Sequence, residues 1–163
     1  MIITILSLIE KMSKLLYKKI SDLVKTVKQE LTEQGIVVPT KLPNGEISFN
    51  NFRVVKDSTN FLVINSDTSE VCYKTSLPQT AILIANSLAL NSPVDREIIQ
   101  LDLKFINNHF EEKQLNRVAE SLAKQKNWDR YDIVMLKHSI AKEKATDAKR
   151  RVIAQFNKLC YNR

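Results

Sequence analysis

Glycine is nearly missing from this chain: Gly35 and Gly45 are the two present in 163 residues. A phosphate-cradling G-x-x-x-x-G-K-[ST] loop, a G-x-G-x-x-G dinucleotide turn and a G-x-S-x-G nucleophile elbow all need glycines at closer spacing, so none can be written here. Cysteine and histidine are as scarce, with Cys72, Cys160, His109 and His138 making up the whole supply. No C-x-x-C exists, which leaves little for a zinc centre, and two distant unpaired thiols fit a reducing, intracellular compartment. Long apolar runs are missing too. The opening MIITILSLI reaches nine uncharged residues before Glu10, short of the roughly 20 needed to cross a bilayer. It has neither a basic region before it nor a small-residue cleavage site after it, so it does not read as a secretory signal. The sequence therefore predicts a protein with no membrane span that is not secreted.

What is there is ordinary for a globular protein, 44% hydrophobic and 26% charged, and the length suits a single domain over 1–163. Ile5, Ile9, Met12, Leu16, Ile20, Leu23, Val27 and Leu31 recur at three-to-four spacing and predict an amphipathic helix over 1–34. Gly35 fits the left-handed position after its end. The apolar side chains Ile2, Ile3, Ile5, Leu6 and Ile9 extend that face and are candidates for docking on a partner. From 41 to 75 the texture changes. Asn44-Gly45 is a hairpin signal, and four short runs rich in β-branched and aromatic residues follow, separated by Asn, Asp, Ser and Thr clusters. They predict a three- to four-stranded antiparallel meander, which needs a helix layer on one face.

Ser76-Leu77-Pro78 restarts a helix, since proline suits the first helical position. The following TAILIANSLAL is apolar almost all round, which makes 78–90 the expected buried helix. Asp95 suits the start of a third helix. In the last helix Tyr131, His138, Ala145, Val152 and Leu159 alternate with Val134, Ala141, Ala148 and Gln155 as a coiled-coil seam. Ile98, Leu101, Phe105, Leu115, Ala119 and Leu122 answer it, interrupted by Asn108 and Glu112. Residues 95–160 then read as a long antiparallel helical hairpin turning at Lys126-Asn127. The fold class is α+β, mostly α: a helical bundle with that hairpin and a small meander.

Catalytic machinery is not visible. Asp67, Glu70 and Lys74 are too few for a metal cage, and Asp102-Leu103-Lys104 falls within a helix. A turn at 127 sets His109 opposite about residue 145 rather than His138, which argues against a shared metal. Neither Cys72, in mid-strand, nor Cys160, in a final helical turn, has a neighbouring histidine, and the strand position of Cys72 reads as a buried packing residue rather than a nucleophile. No cofactor and no small-molecule substrate is implied.

Charge is the feature above background. The net charge is +7, and residues 137–163 carry eight basic side chains against two acidic. Lys142, Lys149 and Arg163 take one flank of the seam, Lys137, Lys144, Arg151 and Lys158 the other, and Arg150 points outward. Glu97, Asp102 and Glu111 can answer some of them across the hairpin. The surplus suits an anionic surface: nucleic acid, an acidic protein face or lipid headgroups. Aromatic interleaving is thin, with Phe156 and Tyr161 alone nearby, and no sequence-reading motif is present.

The Phe- and Val-rich meander, then SLPQTAILIANSLAL, then two long helices resembles small proteins of unassigned role from tailed phages of marine bacteria, over about residues 41–160, with LPQTAILIAN the most distinctive stretch. The resemblance implies a particle-associated or assembly protein in the virion or host cytoplasm, rather than an enzyme, and carries no site residues. The expected function is structural: contact with a protein partner or with copies of itself through helices, with sequence-nonspecific nucleic-acid binding by the basic helix as the alternative.

Overall fold

A computed structural model of the chain describes residues 12–23, 25–26 and 39–161. Residues 12–23 and 25–26 are helical (α1). Five strands follow, β1 (Thr40–Lys41), β2 (Ile47–Phe49), β3 (Phe52–Asp57), β4 (Asn60–Asn65) and β5 (Val71–Thr75), and then α2 (Pro78–Ala89), α3 (Arg96–Lys124) and α4 (Trp128–Tyr161). The mostly α, α+β class agrees with the sequence reading.

The strands form one antiparallel meander in sequence order. It holds five strands rather than three or four. The added one, β1, pairs Thr40 with Ser48 and Lys41 with Ile47; two polar residues beside Pro39 give no hydrophobic pattern to read. The turn clusters of the sequence do make the turns. Gly45 adopts φ 85° and Asn50 φ 54°, left-handed conformations that glycine and asparagine tolerate best. Between β4 and β5 the register shifts at Val63 and Ile64, a bulge that bends the sheet.

One face of the sheet buries Phe49, Val54 and Val63 against Ala81, Ile84 and Ala85 of α2. The start of α2 joins a second core, where Leu77 packs with Leu101, Ala148 and Val152. The sheet, α2 and the α3–α4 pair therefore stack as three layers. Ala148 and Val152 are fully buried, Ala141 and Ala145 nearer the start of α4 are buried, and small side chains there let the two helices approach closely.

Helix α3 starts at Asp95, whose side chain accepts from the Glu97 amide at 2.8 Å. It ends with Lys126 in the left-handed region, and the Asn127 amide donates back to the Leu122 carbonyl. Asn127 Oδ1 then accepts from the Arg130 amide, so one asparagine closes one helix and opens the next. The pair is antiparallel: Glu97 meets Arg151 near one end, and Glu112 meets His138 halfway along.

The expected bundle forms in part: α2, α3 and α4 pack together, without the described part of α1. The described part of α1 leaves Met12, Leu15, Leu16, Ile20 and Leu23 exposed, and contributes no buried residue to either core. Amphipathic spacing identifies a face that must be covered but does not say by what. Between Leu103 and Lys144, among the described residues, the fully buried side chains are Ala119 and Ala141. Phe105 still packs on the Leu77 core, and His109 and Lys113 share a crevice with Thr59, Ser76, Pro78 and Lys149; past them α3 and α4 run on as a two-helix arm.

Candidate functional site

Two regions of the α3–α4 pair carry polar chemistry, and one carries unpartnered apolar surface. At the base, Asp102 is fully buried on α3. Its Oδ1 accepts from the Thr75 hydroxyl at 2.6 Å and its Oδ2 from the Tyr73 hydroxyl at 3.0 Å. Thr75 Oγ1 in turn accepts from the Leu77 amide, so one carboxylate ties the last strand, the entry to α2 and α3 together. Short hydroxyl-to-carboxylate bonds of this kind are the strong ones. Burial first, and then the charge and hydrogen bond of Asp102, push the Tyr73 hydroxyl well above its ordinary value near 10. Asp102 therefore does not answer the basic flank of α4, contrary to the sequence expectation. Its position beside the seam turns it toward the sheet, which seam periodicity alone cannot reveal. Glu97 does answer, bonding Arg151 at 2.9 Å.

At the foot of the arm, Glu112 lies on the seam between the two histidines. His109 Nδ1 stands 3.2 Å from one carboxylate oxygen and His138 Nε2 3.7 Å from the other. The expectation that His109 and His138 stay apart missed this. The turn sets Glu112, one helical turn beyond His109, opposite His138, and the two carboxylate oxygens bridge the remaining gap. Phe105 stacks on the His109 ring with centroids 5.4 Å apart. Among the described residues no group of three His, Cys, Asp or Glu side chains is placed to hold a metal ion. Cys72 and Cys160 are both exposed, free thiols, so the reading of Cys72 as a buried strand cysteine is corrected: it lies on the sheet face away from α2.

The basic candidates Lys137, Lys142, Lys144, Lys149, Arg150, Arg151 and Lys158 are all exposed, while Arg163 lies outside the described residues. They do not converge on one patch. Lys142 and Lys149 follow one edge of the seam and Lys137, Lys144, Arg151 and Lys158 the other, with Glu143 and Asp147 between them on the outward side. The docking candidates Ile2, Ile3, Ile5, Leu6 and Ile9 also lie outside the described residues.

Sequence reasoning missed the outward apolar surface of the arm. Phe110 is 63% and Leu136 64% exposed, and Ile106, Val118, Trp128, Ile133 and Ile140 are exposed beside them. The signal was present, because Ile133, Leu136 and Ile140 recur at helical spacing. The seam residues have the same period, and a single-helix pattern does not separate a second apolar stripe from the first. A crevice of about 130 Å³ where α2 meets the ends of α3 and α4 is lined by Asn86, Asp95, Gln155 and Leu159. A wider groove of about 580 Å³ runs beside His109, Glu112, Asn116, Arg117 and His138. Among the described residues no helix is long and apolar enough to cross a membrane. Comparison with known proteins finds no matching family model, no matching curated protein and no matching solved structure.

Proposed function

We propose that this protein is a non-enzymatic structural or assembly component that binds other protein surfaces through its helices. The observation that carries this reading is the arm. A two-helix projection on which Ile133, Leu136 and Ile140 of α4 are exposed at helical spacing carries an apolar stripe uncovered among the described residues, and exposed apolar patches mark interaction sites. The exposed apolar face of α1 adds a second such surface. The likeness of the meander, the LPQTAILIAN helix and the long helices to tailed-phage proteins supports a place in or on a virion, or in its assembly in the host cytoplasm. The basic rows of α4 then set the register of docking, because charge complementarity tunes encounter and orientation more than affinity.

A second reading rests on the same basic side chains, which give sequence-nonspecific contact with nucleic acid. Light scattering after size exclusion, at low and high salt and with the absorbance ratio recorded, decides between them. The assembly reading expects protein free of nucleic acid, and a species that arrives with nucleic acid and sheds it in salt would contradict it. In that event Lys149→Ala, Arg150→Ala and Arg151→Ala together should flatten the salt dependence.

A further inference from the structure

At the foot of the arm, a crevice of about 410 Å³ gathers side chains from separate parts of the chain. Thr59 comes from the β3–β4 turn, Ser76 and Gln79 from the entry to α2, His109 and Lys113 from successive turns of α3, and Lys149 from α4. Among the described residues no acidic side chain lines it. Lys113 and Lys149 are exposed, and neither has an ion-pair or hydrogen-bond partner among the described residues. His109 is engaged through Nδ1 with Glu112 at 3.2 Å, so the unanswered positive charge of the crevice is that of the two lysines.

A further group there lacks a partner. Gln79 keeps its Oε1 buried and without a hydrogen bond, and a half-turn of the carboxamide puts its Nε2 donors in the same place. A buried polar group in that state calls for a partner. Helix α2 starts at Leu77 without a side-chain cap and carries no acidic residue in its first turn. The amides of an uncapped first turn keep partial positive charge, which adds to the field of the lysines. The helix end does not make the site by itself; the lysine pair and Gln79 do.

We propose that this crevice binds the phosphate of a small phosphomonoester, with Lys113 and Lys149 as the paired charges and Thr59, Ser76 and Gln79 as hydrogen-bond donors. A monoester carries about two negative charges near neutral pH, which two lysines balance. Lysine serves phosphate as a compact point charge with rotatable donors. In a nucleic-acid backbone each phosphodiester is a monoanion, and successive phosphates call for a track of cations. Lys137, Lys142, Lys144 and Lys158 do not join Lys149 at this crevice, so no such track runs through it. The crevice shares no residue with the outward stripe of α4, and its ligand is independent of the assembly reading.

The test titrates isotope-labelled full-length protein at about pH 7.5 and fixed ionic strength, where a phosphomonoester is mostly a dianion, and follows the backbone amide shifts. Inorganic phosphate and phenyl phosphate should each give saturable shifts at Thr59, Ser76, Gln79 and the amides around Lys113 and Lys149. Dimethyl phosphate, a diester, should bind about tenfold more weakly. Lys113→Ala and Lys149→Ala should each weaken phosphate binding by about tenfold, while Lys149→Arg keeps most of it. Lys137→Ala with Lys158→Ala should change nothing. Both crevice lysines are exposed, and an unchanged amide spectrum away from the crevice checks that each variant is folded. The proposal is overturned if no saturable shift appears, or if the Lys137→Ala, Lys158→Ala protein loses as much affinity as the crevice variants. It is overturned equally if single-stranded DNA without terminal phosphates shifts the same amides at lower concentration than phenyl phosphate, which assigns the crevice to a nucleic-acid backbone.

Discussion

The base and the arm of the α3–α4 pair are built from the same two helices, yet they satisfy their side chains in opposite ways. At the base, Leu101, Ala148 and Val152 are covered by Leu77 and the α2 layer, and the one buried carboxylate, Asp102, has two hydroxyl donors. Along the arm, Ala119 and Ala141 are buried but Leu136 and Phe110 face solvent, and the seam itself holds Glu112 and His138. The base is closed by packing, while the arm leaves its second apolar stripe exposed among the described residues. Residues that decide stability and residues that decide association should therefore separate along the length of the helices.

The largest effect should come from the base. Asp102→Ala strands the Thr75 and Tyr73 hydroxyls in a buried place and should cost about 3 kcal/mol in urea unfolding, with Asp102→Asn recovering part of the loss. Next is Ala148→Leu, which forces a larger side chain between Leu77, Leu101 and Val152 and should cost about 2 kcal/mol. A smaller effect is set by pH. Because the folded chain holds the Tyr73 hydroxyl above its ordinary value near 10, the unfolded chain releases that proton first. The contribution is present in full below pH 10 and is lost as pH climbs above it. Alkaline unfolding of Tyr73→Phe should accordingly be less steep than that of the wild type. Its tyrosinate absorbance should lack the one component of four that appears only on unfolding. The smallest effect on folding belongs to the arm. Leu136→Ser should shift unfolding of the isolated chain by no more than about 0.5 kcal/mol while weakening self-association, a dissociation of the two properties that no substitution at Asp102 or Ala148 should reproduce.

Legibility in the sequence follows the same division. Pro78 and the apolar run after it locate α2, Asp95 and the Lys126-Asn127 turn bound α3 and α4, and the alanines at 141, 145 and 148 mark where the helices close. Each is a local signal with a local cause: a ring that suits a first helical turn, a carboxylate that caps, a small side chain at a contact. What escaped the reading depends on three-dimensional neighbours. Asp102 lies beside the seam, and its partners Tyr73 and Thr75 sit 29 and 27 residues away. Glu112 looked like a break in the seam because hydrophobic periodicity has no term for a carboxylate reaching two histidines. Strand β1 has two residues and pairs through backbone alone, so no side-chain pattern announces it. The α4 stripe was visible as spacing, but one helical period does not say which of two apolar stripes meets the neighbouring helix.

Amide hydrogen exchange on the full-length chain, at a low and a high protein concentration, tests the division between base and arm most directly. Raising the concentration should slow exchange in residues 12–26 and 129–143, while the amides around Leu101, Ala148 and Val152 exchange at an unchanged rate. Equal protection of residues 129–143 at both concentrations, or a uniform change across both regions, would contradict the account.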